Sequence, residues 1–283
     1  MNVRLLAVDL DGTLLTSTRA VPPRVVGAIA AAQARGVRVT VATGRIWPSA
    51  EPYIRAAGAD SPAILYNGGM VYDFHTRAVL RQVPLAYEHA RVVLELLRAF
   101  PQVQPHLYVG DKVFVGRANT LTDRYRRKNG VPVIEVGDLL AFLPPEPMKI
   151  LIVGERPDLV AVHDAIAALH LQINTVFSEE TYLEVLPLGS SKGAALAFVA
   201  QLLNISPSAV VAIGDNLNDL EMLQFAGVGV AMANADESLR RHAQYLTRTN
   251  DEEGVRAVIE RFILDDDSET APRSAGQRRS DDG

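Results

Sequence analysis

Three short apolar runs in this chain each end abruptly in a cluster of polar residues, and that pattern constrains the fold more than any other feature. Arg4-Leu5-Leu6-Ala7-Val8 runs into Asp9-Leu10-Asp11-Gly12-Thr13. Val37-Arg38-Val39-Thr40-Val41 runs into Thr43-Gly44-Arg45, and Ala209 to Ile213 into Gly214-Asp215-Asn216-Leu217-Asn218-Asp219. Short continuous apolar runs are expected of strands buried on both faces. Between the first two lies a helix candidate opened by Pro22-Pro23 and stopped near Arg35-Gly36, and a second helix is expected over about 48–57. Ala63 to Tyr66 reads as another strand, closed by the turn signal Asn67-Gly68-Gly69. This β-α-β-α-β order predicts a parallel sheet with helices on its faces, the α/β class.

The texture changes between residues 84 and 186. Helices are expected over 87–100, 118–128 and 157–170, with strands near 107–109, 112–115, 148–153, 175–178 and 182–186. From Lys192 the first texture returns: helix 192–203, strand 209–213, helix 219–226, strand 228–232, a short edge strand 245–247 and helix 255–264. The expected organisation is a Rossmann-like α/β core from residues 1–83 and 187–264, interrupted by an inserted α+β cap domain over 84–186. The segment 265–283 holds almost nothing apolar and reads as a disordered tail. A chain of 283 residues has room for about two domains.

Cysteine is absent, which removes disulfides, thiolate zinc sites and cysteine nucleophiles together, so any metal must use oxygen or imidazole ligands. The net charge of −5 disfavours nucleic acid or an anionic membrane as partner. No apolar run is long enough for a signal-peptide core or a membrane span, so the cytoplasm is the expected location.

In open α/β sheets, ligands bind outside the carboxyl ends of the strands. If the three strands are neighbours, their polar ends meet in one crevice. Asp9, Asp11, Asp215 and Asp219 then crowd together, and like charges so close raise one another's pKa unless a cation neutralises them. Magnesium suits the task, because it takes a few carboxylates together with a substrate phosphate oxygen. Thr43 supplies a hydroxyl and Gly44 lets a backbone N–H approach closely. Lys192 opens a helix, and its ammonium and the N–H groups of that helix start are expected on the same phosphate. Carboxylates, a metal and a lysine fit phosphoryl transfer, where positioning and charge neutralisation supply most of the catalysis. An aspartate can also serve as nucleophile.

At this point the chain resembles a haloacid dehalogenase-superfamily phosphatase of the Cof-like (IIB) subclass. The four motifs of that family appear in order: DxDGT as Asp9 to Thr13, a threonine after a strand as Thr43, a lysine in an SKG context as Ser191-Lys192-Gly193, and GDxxND as Gly214 to Asp219. DxDGT alone could be a calcium-like or turn motif, whereas four motifs together are far more specific. Subclass stretches are matched by Asn67-Gly68-Gly69, Gly229 to Ala235 and Asn250 to Val255, with Gly69 where alanine is usual and Tyr66 where an acidic or small residue is common.

The resemblance implies a magnesium-dependent phosphatase of small phosphorylated metabolites, working through an aspartyl-phosphate. It makes Asp9 the nucleophile and a metal ligand. Asp11 becomes the general acid and then base, binding the metal through its backbone carbonyl, and Asp215 the third protein ligand. Leu10, Thr43, Gly44, Lys192 and Asn218 are implied to contact the phosphoryl group. Asp219 is implied to orient Lys192 or a metal-bound water, and Arg45 and Asn67 are secondary candidates.

Blander readings stand beside these. Asp219 also fits a first-turn helix residue, Asn67 a simple turn former, and Lys192 taken alone a solvated helix residue. The six histidines show no paired metal spacing and read as structural or surface residues, with His106 and His75 as candidates for the cap side. The basic run Arg124 to Lys128 reads as a solvated helix face or as a contact for a substrate anion. Trp47 is expected to pack locally or to wall the crevice. Two rival functions remain: a phosphomutase, which returns the phosphoryl group to its substrate, and a phosphometabolite-binding regulatory protein with slow turnover.

Overall fold

The computed structural model describes residues 2–265, so the tail expected to be disordered lies, apart from Asp265, outside the described residues. The chain opens with β1 (Leu5–Asp9), α1 (Pro23–Ala34), β2 (Arg38–Ala42), α2 (Trp47–Ala57) and β3 (Ala63–Leu65). Proline within the first two positions starts both helices, where its missing N–H costs nothing. Gly58 ends α2 in the left-handed conformation that glycine adopts without strain. Every residue of β1 is buried, because the strand lies between β2 and the later β12 (Val210–Gly214), parallel to both.

Two strands not anticipated from sequence follow, β4 (Met70–Asp73) and β5 (Ala78–Gln82), joined by a turn in which the Asp73 carboxylate accepts N–H bonds from His75 and Thr76. They extend the first sheet antiparallel at its edge. At an edge only part of each strand is covered, which weakens the apolar signal.

The inserted segment contains α3 (Tyr87–Leu97), β6 (Gln104–Val109), β7 (Lys112–Val115), α4 (Thr120–Asn129), β8 (Val133–Glu135), α5 (Leu139–Phe142), β9 (Lys149–Val153), α6 (Arg156–Ala167), β10 (Ile173–Glu179) and β11 (Tyr182–Pro187). Its six strands form a separate sheet in the order β10-β11-β9-β6-β7-β8. Side chains alternate across a strand. Leu107, Ile150, Ile152, Leu183 and Val185 therefore pack against α3 and α6, while Tyr108, Leu151, Val153 and Tyr182 join the core on the side of the first sheet.

The chain then returns with α7 (Lys192–Leu202), β12, α8 (Leu220–Phe225), β13 (Val228–Ala231), α9 (Glu237–His242), β14 (Tyr245–Leu246) and α10 (Gly254–Ile259). The last helix widens to a π-turn over 260–264, where a regular helix was expected. The first sheet has the order β14-β13-β12-β1-β2-β3-β4-β5, with its six strands from β14 to β3 all parallel. It is a Rossmann-like α/β sheet, and the three strands with polar ends, β12, β1 and β2, are immediate neighbours. Among the described residues no helix is long and apolar enough to cross a membrane.

Candidate active site

The carboxyl ends of β1, β2 and β12 open into a cavity of about 680 Å³ lined by Asp9, Asp11, Thr43, Gly44, Arg45, Asp215 and Asn218. Its opposite wall comes from the second sheet and α4, through Tyr108, Tyr125, Lys149, Tyr182 and Glu184. Hydrogen bonds at and beside the cavity tie the two sides together. Lys149 Nζ donates to the Gly44 carbonyl at 2.8 Å, Tyr66 Oη to the Gly110 carbonyl at 2.5 Å, and Asn216 Nδ2 to the Ser178 carbonyl at 2.8 Å.

Asp9 ends β1 almost wholly buried at the cavity floor. Its Oδ1 accepts from Lys192 Nζ at 2.6 Å, and its buried Oδ2 has no hydrogen-bond partner in the protein. Lys192 Nζ also donates to Asp219 Oδ1 at 2.6 Å. The other oxygen of Asp219 accepts the backbone N–H groups of Asp215 and Asn216. Asp9, Asp215 and Asp219 can each present an oxygen within 4.8 Å of the others. Asp219 has both oxygens engaged, so Asp9 and Asp215 are the better free ligands. Thr13 Oγ1 steadies Asp215 at 3.1 Å. Gly12, in the left-handed region at φ +82°, packs so closely that a Cβ there would lie 2.3 Å from Asp215 Oδ2.

The electrostatics match this crowding. Burial raises the Asp9 carboxyl well above its ordinary value, Lys192 pulls it down, and Asp219 and Asp215 push it up again. Asp215 is raised to about 7 by burial, reinforced by Asp219. Burial by itself would lower the Lys192 ammonium, but Asp219 and Asp9 hold it above its usual range. Hard oxygen donors, a buried carboxylate oxygen without a partner and a surplus of negative charge suit a divalent cation such as magnesium.

A pH dependence follows. An acid whose folded value lies above its unfolded value keeps its proton longer in the folded state, so it withdraws stability as pH rises between the two values. For Asp215 that window runs from about 4 to about 7. In EDTA, Tm should fall by roughly 5 °C from pH 5 to pH 8, and excess magnesium should largely remove that fall. Thermal melts with and without metal test this; a metal-free Tm that rises or stays flat across the window would refute it.

The structure brings most of the anticipated residues together. Thr43 is buried beneath the cavity, and its carbonyl accepts from the N–H of Asn67. Leu10 is buried in the core away from the cavity lining and can act only through its backbone. The Asp11 side chain stands apart from the three-aspartate group, held by Arg45 through Nε at 2.7 Å and Nη2 at 2.5 Å. Asn67 has a positive φ of 53°, and its Oδ1 accepts from Asn218 Nδ2 at 3.0 Å, so it both forms the turn and orients Asn218.

Several expectations need correction. The start of α7 borders a separate cavity of about 290 Å³ rather than the main one, and Ser191 Oγ already accepts the N–H of Ala194. Neither His106 nor His75 lines the main cavity. His106 is buried behind Tyr125 with its ring centre 4.6 Å away, lowered to about 4 by burial, and His75 sits in the β4–β5 turn. Trp47 stacks on Tyr72, the local packing alternative. Of the basic run, Tyr125 and Lys128 reach the cavity, whereas Arg124 pairs with Glu155 and Arg126 with Asp123.

Sequence reasoning missed Lys149 and Glu184, because neither lies in a motif and both sit in strands that look wholly apolar or mixed. It also gave no role to Asn234 and Asn250, although both fall in the quoted subclass stretches. Asn234 Nδ2 donates to the Gly12 carbonyl and Asn250 Nδ2 to the Leu15 carbonyl, both at 2.8 Å, and together they pin the loop after β1.

The sequence model of the haloacid dehalogenase-like hydrolases matches residues 6–259. The chain belongs to that family. Among curated proteins, the pyridoxal phosphate phosphatase YbhA of Escherichia coli is 29% identical over 284 residues, covering 93% of this chain and all of that one. The 5-amino-6-(5-phospho-D-ribitylamino)uracil phosphatase YcsE of Bacillus subtilis is 30% identical, covering 93% and 97%. A haloacid dehalogenase-like hydrolase structure from Bacteroides thetaiotaomicron superposes with TM-score 0.81 at 30% identity, over 92% of this chain and 99% of its own. This family member is a Cof-like phosphatase, a phosphoric monoester hydrolase.

Proposed function

We propose that this enzyme hydrolyses a small phosphomonoester with the help of magnesium and through a phosphorylated Asp9. The observation that carries the reading is the Asp9 carboxylate: one oxygen is steadied by Lys192 and the other has no partner, at the floor of a roofed cavity. Asp9 and Asp215 would hold the ion, with the Asp11 carbonyl as third protein ligand. When bound, the metal offsets the charge of substrate phosphate and carboxylates and so lets two anions approach each other.

The chain's own residues do the rest. Thr43, Gly44 and Asn218 orient the phosphoryl group, and Asn67 and Asp219 position Asn218 and Lys192 in turn. Asp9 attacks phosphorus, the bond to the leaving oxygen breaks, and Asp11 gives that oxygen its proton. Asp11 then takes a proton from water, which attacks the phosphorylated Asp9 and releases inorganic phosphate. Arg45 holds Asp11 by two hydrogen bonds, so Asp11 must part from it before reaching the leaving oxygen. The inserted domain over 84–186 acts as the cap, excluding bulk water and contacting the leaving group.

The named relatives act on pyridoxal phosphate and on a phosphorylated ribitylaminouracil, which supports a small metabolite as substrate. The test is phosphate release from a panel of phosphorylated metabolites, with magnesium and with EDTA. Metal-dependent release is expected. A folded, metal-binding protein that releases none, or that moves the phosphoryl group within its substrate, would shift the reading to a binder or a mutase.

A further inference from the structure

We infer that the leaving group is an uncharged, hydroxylated alcohol, and that Glu184 and Glu179 select it by cancelling the charge of the two lysines facing it. This rests on the phosphatase reading above and narrows it to one class of substrate, monophosphates without a second anion.

The cap side of the cavity carries its charges in pairs. Lys149 Nζ lies 2.6 Å from Glu184 Oε2, and both side chains are almost wholly buried. Lys128 pairs with Glu179. The exposed rim adds one residue of each sign, Arg19 and Glu180. On the opposite wall, Arg45 is engaged by Asp11. No cation of the cap wall is left over for a second phosphate or a carboxylate on the substrate, except at the exposed rim, and Arg45 is freed only on the opposite wall when Asp11 turns to the leaving oxygen. An anion placed against either lysine also meets its glutamate, and like charges brought together in a desolvated site oppose binding. A cationic leaving group fares no better, because each inner glutamate is already paired.

What remains suits hydroxyl groups. A lysine ammonium has three N–H donors, and Lys149 uses two of them, on Gly44 and Glu184. Tyr108 and Tyr125 share one hydrogen bond at 2.7 Å between their hydroxyls, which leaves one phenolic proton for a ligand. Tyr182 Oη accepts from Asn129 and keeps its own proton to donate. Burial keeps all three phenols un-ionised. Lys149 and Lys128 also sit 4.7 Å and 4.9 Å from the ring centres of Tyr108 and Tyr182, which fixes both ammonium groups in place.

The experiment measures competition against p-nitrophenyl phosphate turnover in the magnesium-loaded enzyme. The competitors are matched sets: a hexose 6-phosphate, the hexose 1,6-bisphosphate and 6-phosphogluconate. The monophosphate with the uncharged sugar should inhibit with a constant about tenfold or more below those of the two competitors that carry a second anion. Glu184→Gln and, separately, the more exposed Glu179→Gln should each narrow that ratio by about tenfold, because one lysine then faces the ligand without its counter-charge. Merely loosened packing weakens all three competitors together and leaves the ratio alone. Equal inhibition by all three, or a ratio unchanged in both variants, overturns the inference while turnover of p-nitrophenyl phosphate upholds the phosphatase reading. Absence of that turnover overturns both.

Discussion

Replacing Asp9 by asparagine should abolish turnover, with phosphate release falling on the order of 10⁴-fold, while the protein stays folded. Asparagine has nearly the shape of aspartate, so the packing at the end of β1 survives. It lacks the charge needed to attack phosphorus, and its amide is a poor metal ligand. The stability effect has an unusual sign. Asp9 is buried beside Asp215 and Asp219, which push its carboxyl upward against the pull of Lys192. Removing one of three crowded carboxylates relieves that repulsion, so the metal-free variant should melt no lower than the wild type at pH 7. Its stabilisation by magnesium should shrink, because a ligand has been lost. Phosphate release and thermal melts in magnesium and in EDTA test all three statements. A folded variant turning over near the wild-type rate would remove Asp9 from the mechanism.

Lys192→Met should damage both activity and stability. The ammonium is fully enclosed and bridges Asp9 and Asp219 at 2.6 Å each, so its loss leaves two buried carboxylates without their counter-charge. Breaking a buried pair by deleting one partner typically costs about 3–5 kcal/mol, because the surviving charge is stranded. Turnover should drop on the order of 10³-fold as the phosphoryl group loses its cation and Asp9 its anchor. The destabilisation should be smaller at pH 5 than at pH 8, since Asp9 can then escape its charge by taking up a proton. Urea titrations at the two pH values measure this. A variant as stable as the wild type at pH 8 would show that the bridge contributes little to holding the site together.

Arg45 and Asp219 show how far residue type carries an interpretation. Both were secondary candidates by position. In the structure Arg45 clasps Asp11, and Asp219 spends one oxygen on Lys192 and the other on two backbone N–H groups. The two backbone N–H groups lie only four and three residues before Asp219 and belong to its helix start, but the pairings with Lys192 and with Asp11 are not encoded by spacing along the chain: Arg45 and Asp11 are joined only because β1 and β2 lie side by side.

Most of the first sheet was legible because buried parallel strands write continuous apolar runs, and proline and glycine mark the helix ends between them. The chemistry was legible because the polar clusters sit at the carboxyl ends of those runs. The β4–β5 hairpin was not, since a half-covered edge leaves no clear pattern. The wall opposite the aspartates was hidden for a different reason. Lys149 stands within the run Lys-Ile-Leu-Ile-Val, and alternation along a strand does not say which face meets the site. That choice is made by the pairing of β9 with β6 and β11, which aligns Lys149 with Tyr108 and Leu151 with Glu184 on the face opposite α3 and α6. The sequence by itself determined the α/β class, the family and the aspartate, threonine and lysine groups of the site. Only the tertiary structure decided which side chains roof it and how their charges cancel, because those contacts join strands far apart in the chain through register and burial.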